Sequence, residues 1–151
     1  MRLGYILGGI AYLLILGIAA GQAQSLKERK VQQGEEQSLA EEIAYTNQVC
    51  KSDIHASVDW QSFSVTDLET GKLPSGSCDA ALGAIESLCT DQSGQQVVRQ
   101  KVNRVVCAKG ASRDVDLKQG TLLFQMDGPG GDDFRFVRDY LSEKFAASES
   151  D

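Results

Sequence analysis

The chain predicts an α+β domain: a small antiparallel sheet of three to four strands, packed by about three helices, held by two disulfides and preceded by an N-terminal signal or anchor segment. Three observations predict it. The apolar spacing switches between the helical and the strand period along the chain, four cysteines are spread through it, and residues 3–20 carry no charge.

At 151 residues the chain is one domain's worth, enough for a single hydrophobic core. Arg2 precedes the apolar run, and Gly21-Gln22-Ala23 offers the small-x-small pattern of a signal-peptidase site, so residues 1–23 read as a cleaved signal peptide. The run is also close to the length of a membrane helix, and it carries the glycine spacings Gly4/Gly8 and Gly17/Gly21. An uncleaved single-pass anchor is therefore the alternative. Lys27, Arg29 and Lys30 follow the run and favour a cytoplasmic C-terminal side. The four cysteines favour an oxidising compartment and carry more weight, so an exported protein, periplasmic or secreted, is expected.

Residues 24–37 are polar and poor in apolar spacing and read as a tether or a frayed helix entry; the domain proper spans 38–146, and 147–151 form a frayed acidic tail. Leu39, Ile43, Thr46 and Cys50 make the buried stripe of a first helix over 37–51. Ile54, Ala56, Val58 and Trp60 alternate with His55, Ser57 and Asp59, the mark of a half-buried strand. Residues 66–76 hold turn formers and Pro74 and read as a surface loop, after which Ser77 can cap a second helix.

The segment 95–107 is ambiguous. Val98, Val102 and Val105 fit a helical stripe, but the valine content favours a strand from Lys101 to Cys107. Residues 113–117 and 121–126 flank Lys118-Gln119-Gly120 and predict a hairpin. Asp132 or Asp133 then caps a last helix that buries Phe134, Val137, Leu141 and Phe145.

Cys78 and Cys89 bracket one short helix, and Leu82 and Ile85 complete a single stripe with them. At 1.5 Å per residue they stand about 16 Å apart, too far to bond to each other. Two pairings remain: Cys50–Cys89 with Cys78–Cys107, or Cys50–Cys78 with Cys89–Cys107. A chain that runs straight back as a strand after Cys89 favours the first. Close C-x-x-C pairs are missing, which argues against zinc and redox chemistry, while reduced core thiols remain the plain alternative.

His55, Ser57 and Asp59 on one strand face suggest a nucleophilic triad, but same-face neighbours lie about 6.6–7 Å apart, and an ordinary polar face is expected. Asp127, Asp132 and Asp133 in the glycine loop offer carboxylates for calcium without the EF-hand spacing. A turn ending in a helix cap is the simpler reading. Arg99, Lys101 and Arg104 form a basic patch in an otherwise acidic domain. Without residues 1–23, which contain only Arg2, 14 basic residues stand against 21 acidic ones, a net charge of −7. That charge disfavours nucleic acid and anionic lipid, and membrane contact is expected only through residues 3–20 if they are retained.

The function these features predict is a non-catalytic exported or membrane-tethered domain that binds a protein partner or serves as an accessory subunit, with no cofactor and no metal. One rival is a small hydrolase using His55 with Asp59, or a calcium-dependent enzyme using the aspartates of 127–133. Another is an inhibitor or immunity-type protein that presents its acidic surface to a basic target.

Overall fold

Helix α1, Leu26–Cys50, begins at a reciprocal cap: the Ser25 hydroxyl accepts the Glu28 N–H at 3.2 Å, and the Glu28 carboxylate accepts the Ser25 N–H at 2.8 Å. The computed structural model describes residues 25–70, 74–128 and 131–148; the expected signal or anchor segment, residues 1–23, and the end of the acidic tail lie outside them. The polar residues 26–37 thus form the first turns of α1. They have partners, because Glu35 accepts the Ser75 N–H and Glu36 accepts the Trp60 indole N–H, each at 2.9 Å. The expected stripe follows, with Leu39, Thr46 and Cys50 buried and Ile43 partly so.

After α1 come strand β1 (His55–Val58), a 3₁₀ turn at Trp60–Ser62, and helices α2 (Val65–Glu69), α3 (Ser75–Ser87) and α4 (Gln92–Lys101). Strands β2 (Arg104–Lys109), β3 (Asp114–Lys118) and β4 (Thr121–Met126) and helix α5 (Asp133–Ser148) complete the order. The described residues form five helices rather than about three. One of the extra two is α2, where the expected surface loop is shortened by a Ser64–Asp67 capping box. The other is α4. Asp91 accepts the Gly94 N–H at 2.8 Å and starts a helix that buries Val98 and ends at Lys101; Val102 is already extended, and the strand, with Val105 in it, begins only at Arg104.

The sheet has four strands in the order β1-β2-β4-β3. It is mixed, not antiparallel: β1 pairs parallel with β2, β2 parallel with β4, and only β3 runs antiparallel, to β4. The β3–β4 hairpin is present, turning through Gln119 and Gly120, both at positive φ as a two-residue turn requires. What the hairpin does not announce is which of its strands lies inside. TLLFQM buries alternate residues and is apolar enough for a central position, whereas DVDLK carries charges suited to an edge. The parallel β1–β2 pair follows from its long connection, which carries three helices across one face of the sheet.

That face is the core side. Val105, Cys107, Val115, Leu117, Leu122, Phe124 and Met126 are buried there in one cluster with residues of α3 and α5. Val137, Leu141 and Phe145 of α5 are buried as expected, but Phe134 is not: it is 38% exposed and lies under the Arg138 guanidinium. Its position, in the first turn of α5, is set by Asp132, which accepts the Arg135 N–H at 3.1 Å as the helix cap.

Helices α1 and α3 run parallel, tied at three levels about forty residues apart in sequence. Glu35 meets Ser75, the Thr46 hydroxyl donates to Glu86 at 2.7 Å, and Cys50 bonds to Cys89. The second disulfide, Cys78–Cys107, fixes the start of α3 to β2. The pairing is the one favoured from the sequence, although the chain reaches Cys107 through helix α4 rather than by a direct strand return.

Candidate functional site

Among the described residues strand β1 is an edge, paired only with β2. His55 and Asp59 donate their N–H groups to the Asn103 and Cys107 carbonyls at 3.1 and 2.9 Å. In a parallel ladder alternate residues point their backbone groups to opposite sides, so those of Ala56 and Val58 point away from the sheet. Among the described residues nothing bonds to them. The opposite edge is managed differently: β3 is flanked by Asp114, Asp116 and Lys118, and the Tyr140 hydroxyl accepts the Leu117 N–H at 2.8 Å.

The bare edge lies beside α1, and between them runs an open groove of about 460 Å³. Leu39, Ala40, Ile43 and Ala44 wall its helical side, residues 54–58 form its strand side, and Glu36 and Asp53 stand along it. Asn47 holds the two sides together. Its side-chain amide accepts the Ile54 N–H at 2.8 Å and donates to the Ile54 carbonyl at 2.9 Å, as a neighbouring strand would. The Ser52 hydroxyl adds a third bond, donating to the Asn47 side-chain oxygen at 2.8 Å.

Chemically the groove offers apolar wall, two carboxylates and unpaired backbone donors and acceptors. Those are the elements that bind an extended polypeptide. The sequence pattern identified β1 as a half-buried strand but not as an edge, and Asn47 read only as a polar residue of a helix. The turn that reverses the chain against its own helix passes through Lys51 at positive φ, and a lysine there gives no sequence sign of it.

His55 and Ser57 lie exposed on the sheet face away from the helices, and the His55 imidazole makes no hydrogen bond or ion pair among the described residues. The Asp59 carboxylate accepts the Gln61 N–H at 3.1 Å as the cap of the 3₁₀ turn. Proximity along the strand therefore does not assemble these three side chains into a hydrogen-bonded relay. Of the loop aspartates, Asp132 pairs with Arg135, while Asp133 is buried and accepts from Ser77 at 2.8 Å and Arg113 at 3.3 Å. Among the described residues no group of acidic, histidine or cysteine side chains is arranged to hold a metal ion. Ser77, expected as a helix cap, instead lies inside α3, which starts after Pro74, and ties α3 to α5.

Arg99, Lys101 and Arg104 are all exposed, and Arg99 shares a shallow hollow with Lys51 and Asp53. A further concentration of charge lies between α1 and α3. Burial, with repulsion from Asp79 and Glu86, raises the pKa of Glu42; burial, with repulsion from Glu35, raises that of Asp79. At the start of α2 the opposite holds. Hydrogen bonds from Lys109 and Ser64 hold the Asp67 carboxyl far below the usual carboxylate range.

No protein-family model, no curated protein and no solved structure matches this chain. Among the described residues no helix is long and apolar enough to cross a membrane.

Proposed function

We propose that the protein is a non-catalytic, exported protein-binding domain that takes an extended partner segment along the free edge of β1. The observation that carries the reading is the outward-facing backbone of Ala56 and Val58 beside the apolar wall of α1. Added strands draw affinity from main-chain hydrogen bonds and specificity from side-chain pockets on one face, and the groove supplies both. Two disulfides suit an oxidising compartment and hold α1 and β2, the neighbours of the edge, in place.

Proline at position 56 removes the outward N–H without touching a β1–β2 hydrogen bond, and such positions on edge strands tolerate proline. Affinity capture with the full-length wild-type chain and with Ala56→Pro tests the proposal. Partners retained by the wild type and lost by the folded variant support it; an unchanged set of partners refutes it.

A further inference from the structure

Resting on that reading, we infer that the segment seated on β1 is the β1 of a second copy, giving an antiparallel, two-fold symmetric dimer with a continuous eight-stranded sheet. The free edge has the symmetry this requires. Only Ala56 and Val58 turn their backbone groups outward, and an antiparallel register that sets Ala56 opposite Val58 of the other copy satisfies all of them with four hydrogen bonds.

The same register places Ser57 on the two-fold axis and His55 of each copy opposite Asp59 of the other. Both are exposed; Asp59 stands just past the end of β1, its N–H still bonded to Cys107 and its carboxylate also accepting the Gln61 N–H, so each copy supplies one acidic and one basic-capable partner. On the other face the pairs are Ala56 with Val58, apolar against apolar. A shift by two residues in either direction leaves outward groups unpaired and breaks the histidine–aspartate match.

The helix side is compatible. A two-fold axis normal to the sheet brings the two α1 helices together on one side, and there α1 presents Ala40 and Ala44, whose small side chains permit close helix approach. The β3 edge lacks this self-complementarity: its Leu117 N–H is already bonded to Tyr140, and it carries Asp114, Asp116 and Lys118.

The register gives a sharp test. Residues facing each other in a non-hydrogen-bonded antiparallel pair have Cα atoms about 4.5 Å apart, within disulfide range. In the full-length chain under oxidising conditions, Ser57→Cys is expected to form an intermolecular disulfide in most molecules. His55→Cys, which would face Asp59 rather than itself, is expected to form several-fold less. Sedimentation of the full-length chain in detergent should show a dimer that Ala56→Pro weakens at least about tenfold, since it deletes two of the four hydrogen bonds. Association that survives Ala56→Pro, or equal crosslinking through positions 55 and 57, overturns the inference.

A photo-crosslinking residue at position 57, in cells expressing the full-length chain, separates self-association from the binding of other proteins. Adducts with a second copy support the dimer. Adducts only with other proteins overturn the dimer and leave the protein-binding function standing. No adduct of any kind overturns both.

Discussion

Replacing Asn47 by alanine should cost about 3 kcal/mol of stability. The figure follows from what the side chain leaves behind. Ile54 is 2% exposed, and its N–H and C=O both depend on the Asn47 amide, at 2.8 and 2.9 Å. A buried polar group stripped of its partner costs about 1–3 kcal/mol, so two groups give about 2–4, with a small addition from the lost Ser52 bond, which water can replace. Equilibrium urea unfolding of the oxidised protein measures the loss, and amide exchange at Ile54 locates it. Asn47→Asp should also destabilise, because a carboxylate accepts the Ile54 N–H but opposes its carbonyl. A loss below about 0.5 kcal/mol for Asn47→Ala, or no faster exchange at Ile54, would refute the claim that this amide clamps α1 to the edge strand.

Cys50→Ala with Cys89→Ala opens a loop of sequence separation 39, and chain entropy assigns that a loss of about 4 kcal/mol, read by denaturant unfolding. Glu42 and Asp79 have pKa values raised in the fold, so the folded state holds their protons more tightly than the unfolded chain. Their contribution is most favourable below the unfolded pKa and declines as pH rises through the folded one; Glu42→Gln should therefore stabilise at pH 7 and not near pH 3. Asp67 has the opposite sign: its stabilisation is present above the unfolded value of 3.8 and fades as pH falls, so Asp67→Asn should destabilise at neutral pH and lose that effect in acid. Leu141→Ala should cost about 3–5 kcal/mol and Phe134→Ala under about 1.5, a contrast that thermal unfolding resolves and that near-equal losses would contradict.

Much of the core was legible because it rests on local periodicity. The stripes Leu39/Thr46/Cys50 and Val137/Leu141/Phe145 are buried, and Cys78 and Cys89 do lie on one core-facing surface. Phe134 escaped that logic because it stands in the first turn of its helix, where the chain is still emerging from the loop and the ring stays at the rim. The α4 segment was undecidable from periodicity, since valines spaced four apart satisfy either period. An aspartate cap three residues before Gly94 decided it.

The bonds between segments distant in sequence were of a different kind. That β4 lies between β2 and β3 and that β1 is left as an edge both depend on how elements pack after they form.

By itself the sequence determined where helices and strands are favoured, which faces they bury, that Cys78 and Cys89 cannot bond to each other, and that two pairings remained. These follow from spacing, chain geometry and solvation, which act over a few residues. The tertiary structure alone decided the mixed sheet, the pairing of the disulfides and the open groove beside β1. Strand order is a competition among surfaces: the most apolar strand takes the centre, the charged one takes one edge, and the short, weakly charged HASV is left at the other with its outward backbone groups unpaired.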